Sequence, residues 1–286
     1  MAKAQSAGRR RIPHRILGVD FSGARDAGRR IWIAQGHADP KGLFSLDDLR
    51  PAIELPDGML SPEGAIAALR NHIVAEPDTI AGCDFPFSIL RLLIEEPSWV
   101  EFVRAFPARF SDPDAFRAWA MRRAGGKELR RPTDIATKTP FNSFNIRIHR
   151  QTWWGLVALL HPLIDEGKAV AYPFQSPADE RRPVLIEACP ACTLKAIGCY
   201  PSYKGSSPAH RAARLQILER LRSRDVLAPL PSMFANRKLD DAGGDALDAL
   251  LAALAAARVD LSAKVTPDER FEGRIYFEID RRPGQL

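Results

Sequence analysis

Short apolar runs that end on a carboxylate recur along this chain. Ile16-Leu17-Gly18-Val19-Asp20, Ile80-Ala81-Gly82-Cys83-Asp84 and Val184-Leu185-Ile186-Glu187 are each almost continuously apolar, the pattern of a strand buried on both faces. Residues 31–34 and 43–46 predict two further strands, joined by a loop with Gly36, Asp39, Pro40 and Gly42. Together with the first run they make a meander. Ser61 as cap and Pro62 at the first helical position open a helix to about residue 74 or 75. Residues 79–84 form the next strand, stopped by Pro86.

The pattern changes between about residues 88 and 182. Leu90, Leu93 and Ile94 suggest a helix start; Trp99, Phe102, Val103 and Phe106 continue an amphipathic stripe up to Pro107. Phe116, Trp119 and Met121 predict another helix ahead of Gly125-Gly126. Residues 130–150 are polar, basic and loop-like, and 152–164 are strongly helical. The stretch reads as a largely helical insertion. Beyond it come a strand at 184–188, a basic helix at 210–222, an Ala/Leu helix at 245–257 and a final strand or edge segment at 274–279.

Strands alternating with helices imply a mainly parallel, doubly covered sheet with an early meander. Such sheets gather ligands at the carboxyl ends of their strands, where Asp20, Asp84 and Glu187 fall. Every residue between Asp248 and Arg258 is Ala or Leu, so that helix is apolar all round and reads as buried. Asp245 and Asp248 sit off its leucine stripe on an alanine-lined side that would let it approach a sheet closely. Capping accounts well for Asp245, which follows Gly243-Gly244, and less well for Asp248. A strand-end carboxylate taken singly serves a turn about as well. Taken together, these carboxylates at the edge of a core point to a cation, and an all-oxygen set suits Mg²⁺ or Mn²⁺ rather than zinc.

Composition narrows the classes. The chain has 286 residues with a net charge of +6, enough length for one large domain or two small ones and for a core without staples. Lys3, Arg9, Arg10, Arg11 and Arg15 all precede the first acidic residue, so residues 1–15 read as a basic, disordered arm and 16–280 as one domain. No apolar stretch is long enough for a membrane span or a signal-peptide core, and four cysteines do not suggest a disulfide scaffold. A cytoplasmic protein that engages no membrane is expected.

The ordered set Gly18-Val19-Asp20-Phe21-Ser22, Gly82-Cys83-Asp84-Phe85-Pro86, Ile186-Glu187-Ala188-Cys189-Pro190, Tyr203-Lys204-Gly205 with Arg211, Asp245-Ala246-Leu247-Asp248-Ala249 and Glu272-Gly273-Arg274-Ile275 resembles domain-of-unknown-function family 429. These are predicted nucleases of the RNase H-like superfamily. The resemblance implies an α/β fold: an RNase H-like mixed sheet, a three-strand meander plus parallel strands, flanked by helices. It implies a first-strand acid at Asp20, a fourth-strand acid at Asp84, and a helical pair at Asp245 and Asp248 that looks like the Asp-x-x-Asp-Ala pattern of Holliday-junction resolvases. Glu187 matches a family position whose role that analogy does not assign. The aromatic stretch 88–182 and the two cysteines beside Glu187 depart from the pattern and bear on substrate choice.

The expected function is a metal-dependent nuclease or phosphodiesterase, with catalytic Asp20, Asp84, Glu187, Asp245 and Asp248. Asp20, Asp84, Asp245 and Asp248 would hold Mg²⁺ or Mn²⁺ in a two-metal mechanism. Ser22, Lys138, Arg147, Lys204 and Arg211 are the candidate substrate contacts: basic groups hold phosphates and interleaved rings such as Phe141 and Phe144 stack on bases. Nucleic acid is the expected partner, and a homodimer is allowed. Two alternatives stand beside this. Actin- and sugar-kinase-like phosphotransferases share the core fold, but their Asp-x-Gly-x-Thr loop lacks its Thr in Asp20-Phe21-Ser22-Gly23-Ala24 and has no second copy. A catalytically inactive nucleic-acid-binding protein is the other. Cys189-Pro190-Ala191-Cys192, with Cys199 nearby, reads as reduced, mostly buried thiols; zinc would need a further ligand such as His210 or Cys83.

Overall fold

The structure, a computed structural model, describes residues 15–177, 181–231, 234 and 240–277. Lys3, Arg9, Arg10 and Arg11 of the basic arm, and the end of the segment at 274–279, lie outside the described residues. Arg15, counted with that arm from the sequence, opens the first strand instead. Its guanidinium is buried and donates to Gln35 Oε1 (2.9 Å) and to the His72 carbonyl (2.7 Å).

Seven strands form one sheet: β1 (Arg15–Asp20), β2 (Trp32–Ala38), β3 (Phe44–Pro51), β4 (Thr79–Asp84), β5 (Val170–Tyr172), β6 (Val184–Ala188) and β7 (Ile275–Tyr276). The order is β3-β2-β1-β4-β6-β5, with β7 also pairing β6. β1, β2 and β3 are an antiparallel meander, and β1, β4, β6, β5 and β7 run parallel to one another. The fold is thus mixed α/β, a sheet flanked by helices.

Alternation along the strands sorts their side chains onto two faces. Ile16 and Ile80 pack with the helix Asp245–Arg258 and the helix Pro208–Arg222. Leu17, Val19, Ala81, Cys83 and Leu185 pack on the other face, against the helix Pro62–Val74 and the aromatic stretch between β4 and β5. Leu247, Leu250, Leu251 and Leu254 of the Asp245–Arg258 helix are fully buried, each contributing roughly 1.5–3 kcal/mol. That helix crosses β1, β2 and β4 at very short range. Gly18 and Gly82 are register partners on adjacent strands. A methyl on Gly18 would overlap the Ala249 carbonyl and the Ala253 amide nitrogen, and one on Gly82 would overlap the Ala252 carbonyl.

Several boundaries move. The Trp99–Arg109 helix continues through Pro107; the proline falls in the last turn, where only a bond back to the preceding turn is lost. The loop expected at 130–150 contains a short helix, Pro132–Ala136. The helix expected at 152–164 begins at His149 and passes through a π-helical stretch, Gly155–Leu160. Strand β5 lies inside the span read as a helical insertion. Three apolar residues, Val170-Ala171-Tyr172, carry too little period to separate a strand from a helix end. Cys189 and Cys192 pair as a disulfide, where reduced thiols were expected. Cys189 caps the helix Pro190–Ala196, and the i, i+3 spacing at a helix start brings the two sulfurs together. Cys83 and Cys199 are free and buried.

Candidate functional site

Asp20 and Asp84 are register partners at the carboxyl ends of β1 and β4. They stand two residues beyond Gly18 and Gly82, so alternation aims both at the helix that those glycines admit. Asp245 and Asp248 occupy the first turn of that helix. The four charges act on one another: burial first, then Asp248, Asp245 and Asp84, hold the Asp20 carboxyl well above the ordinary carboxylate range. Burial and the Asp248 charge push Asp84 up to about 8, and burial with Asp241 pushes Asp245 up to about 6. Asp248, only 3% exposed, is raised mainly by burial, against the pull of Lys204.

Asp245 lies in the first turn, where its charge favours the helix dipole as the capping account expects. The hydrogen bond at the helix start comes from elsewhere: Gly244 occupies the cap position with φ 77°, and the Ala246 amide donates to Asp241 Oδ2 at 2.9 Å. Asp248 has two partners: the Tyr203 hydroxyl donates to Oδ1 at 2.6 Å, and the Lys204 ammonium meets Oδ2 at 2.7 Å. Asp248 and Asp20 outweigh burial to raise the Lys204 ammonium. Among the described residues, the Asp20, Asp84 and Asp245 carboxylates accept no hydrogen bond, although Asp20 is only 9% exposed.

Glu187 is not brought to these four. It is the register partner of Cys83, not of Asp84, so it points to the opposite face of the sheet. There Arg131 grips it through two bonds, Nη1 to Oε2 at 2.8 Å and Nη2 to Oε1 at 2.5 Å, and the Phe87 amide donates to Oε2 at 2.9 Å. Arg131 also binds Asp134 and the Glu272 carbonyl. The Glu187 charge still reaches Asp84.

Among the candidate substrate contacts, Lys204 reaches the acids. Ser22 Oγ accepts the Ala24 amide in the turn after β1. Arg211 is exposed and pairs Asp240 at 3.1 Å. Arg147 lies exposed over the Phe141 ring, and Lys138, exposed, accepts at its carbonyl from Lys195. Arg214, read as part of a basic face, is buried on the Tyr203 and Gly205 carbonyls.

Sequence reading assigned no role to three residues near the site. Tyr203 had a signal, its place beside Lys204. Asp241 had one too, an Asx turn into Gly243-Gly244. Gln151, whose amide donates to the Asp84 carbonyl, had none, because it comes from the far end of the stretch between β4 and β5.

Among the described residues, no group of three or more His, Cys, Asp or Glu side chains is placed to hold a metal ion. The Lys204 ammonium supplies the positive charge at Asp248. The donor set itself suits a hard divalent cation: all oxygen, partly desolvated, and in excess over the ammonium beside it.

A family model matches residues 18–271, a span that contains the four aspartates, Lys204 and the Arg131–Glu187 pair. The chain belongs to DUF429, a family of proteins of unknown function. No curated protein and no solved structure matches it. Among the described residues, no helix of this DUF429 member is long and apolar enough to cross a membrane.

The raised carboxyls set a pH dependence with a definite sign. Where the native pKa exceeds the unfolded one, the folded state binds more protons, so stability falls as pH rises through the window. For Asp84 that window runs from 3.8 to about 8. His72, lowered to about 4 by burial and Arg15, acts in the opposite sense. The expected result in EDTA is therefore a difference: Asp84→Asn gains melting temperature over wild type toward pH 8 and loses that gain toward about pH 5. A gap that stays constant with pH would refute the charge cluster.

Proposed function

We propose that this protein is a metal-dependent nuclease of RNase H-like architecture. The observation that carries this reading is the convergence of Asp20, Asp84, Asp245 and Asp248, from two adjacent parallel strands and one buried helix, on one face of the sheet. As they stand, the four aspartates are not placed to hold an ion together; Mg²⁺ or Mn²⁺ would be held by their side chains closing on it, Asp20, Asp84 and Asp245 being free of hydrogen bonds within the described protein. When bound, the ion would supply an activated water and neutralise charge on a phosphodiester. The sheet order, a meander followed by parallel strands with the acids at their carboxyl ends, fits that superfamily.

The chain's own residues divide the remaining work. The Tyr203 hydroxyl fixes the rotamer of Asp248, and the glycine-to-alanine packing fixes the distance between strands and helix. Glu187, engaged by Arg131, holds the stretch between β4 and β5 to the sheet and acts on Asp84 through its charge. Ser22, Lys204, Arg211, Arg147 and Lys138 remain the candidate groups for holding phosphate, and of these Lys204 is the one ion-paired to these acids.

The test is a cleavage panel of single- and double-stranded DNA, RNA, RNA–DNA hybrid and branched DNA, with Mg²⁺ and with Mn²⁺. Wild type is expected to cut at least one substrate, with Asp20→Asn and Asp248→Asn falling to background while remaining folded. No cleavage of any member, accompanied by saturable ATP binding, would replace this reading with a phosphotransferase.

A further inference from the structure

Lys204 stands where the aspartates most need positive charge, and the protein is built to put it there. Buried Arg214 donates to the carbonyls of Tyr203 (2.5 Å) and Gly205 (3.0 Å), on either side of Lys204. The Gly205 amide donates to the Ala242 carbonyl at 2.7 Å, tying this loop to the start of the Asp245–Arg258 helix. Gly244, at φ 77°, leaves room for the Tyr203 ring and the Lys204 stem, which a side chain there would strike. The ammonium at the end of this anchored loop bonds Asp248 and acts on Asp20, Asp84 and Asp245.

The anchoring ends at the backbone. The Lys204 side chain is 54% exposed, whereas Asp248 is 4% exposed at its side chain. Lysine has a flexible four-carbon stem and a strongly hydrated head, so the ammonium can leave for water at the cost of its Asp248 bond and a 5.7 Å approach to the Tyr203 ring. The acids cannot follow it. A single positive charge faces four carboxylates, and a divalent ion brings two.

We propose that Lys204 is a built-in competitor for the divalent cation, and that Mg²⁺ or Mn²⁺ binding by the aspartates expels its ammonium from Asp248. This rests on the metal-dependent reading above. Lys204 thereby sets the affinity of the site: it stabilises the metal-free acids and weakens the ion's hold on them.

Calorimetric titration of wild type, Lys204→Met and Lys204→Arg with Mn²⁺, at one pH and ionic strength, tests this. Lys204→Met keeps the stem and removes the charge, and is expected to bind Mn²⁺ about tenfold tighter or more. Lys204→Arg keeps the charge and is expected to match wild type. Equal or weaker binding by Lys204→Met would overturn the competition while leaving the metal-dependent reading in place. No binding by any of the three would overturn that reading and this inference with it. Melting temperature provides a second readout. Lys204→Met is expected to melt below wild type in EDTA and to gain more from saturating Mn²⁺; an equal gain would overturn the proposal. Should Lys204→Met need the ion to fold, Lys204→Gln, whose amide can still donate to Asp248, is titrated in its place; it is expected to bind Mn²⁺ tighter than wild type, and equal or weaker binding overturns the competition.

Discussion

Replacing Arg131 with methionine is expected to destabilise the protein by about 3–5 kcal/mol. Arg131 is 1% exposed and binds both Glu187 and Asp134, which are 3% and 2% exposed. Removing the guanidinium strands two carboxylates in the interior, leaving the Phe87 amide on Glu187 and the Arg131 amide on Asp134. A buried ion pair need not stabilise a fold relative to apolar residues, but breaking one from a single side leaves a charge with nothing to offset it. Adding Glu187→Gln to Arg131→Met is therefore expected to recover part of the loss, because one of the two stranded charges is gone. Urea unfolding of the single and double variants measures both. A cost below about 1 kcal/mol for Arg131→Met would be that of a surface pair and would mean that water reaches Glu187.

Gly18→Ala is expected to cost about 3 kcal/mol or more, the upper end for overpacking by one methyl. The new Cβ would meet the Ala249 carbonyl oxygen and the Ala253 nitrogen, both backbone atoms of a buried helix. Backbone cannot rotate aside as a side chain can, so the helix must lift off β1. Asp248 lies on that helix and Asp20 two residues along that strand, so the change is also expected to weaken Mn²⁺ binding. Gly125→Ala is the comparison. Nothing lies within 4 Å of a Cβ there, and only the positive-φ penalty of ~1–2 kcal/mol applies. A Gly18→Ala protein that unfolds at the wild-type urea concentration would refute the close packing.

Much of this was legible in the sequence because burial leaves a trace in residue type. The Ala/Leu helix was placed to within a residue of its end, Asp245–Arg258, since a run without polar residues has nowhere to go but the core. Strands β1, β4 and β6 were marked by continuous apolar runs. Strands β2 and β3 were harder. They extend four or five residues past the segments read for them, because their solvent-facing positions accept His37, Asp47 and Asp48 and blur the pattern. The stretch between β4 and β5 was read as helical, yet its contribution near the site, Gln151, and its tether, Arg131, came from side chains that looked like any polar residues in a basic loop.

The sequence by itself determined which carboxylates end up at the edge of the core, because an apolar run followed by an acid delivers that acid to a strand end. It also determined that one helix would lie close against the sheet, because alanine and glycine have no bulk to keep it away. Only the tertiary structure decided which acids meet. A strand has two faces, and the in-register pairing of Cys83 rather than Asp84 with Glu187 sends that one carboxylate to the far side. Tertiary structure alone also brought Lys204 onto Asp248 and Arg131 onto Glu187, across 44 and 56 positions of chain respectively. Nothing local in a lysine or an arginine specifies the charge it will meet once the chain has folded.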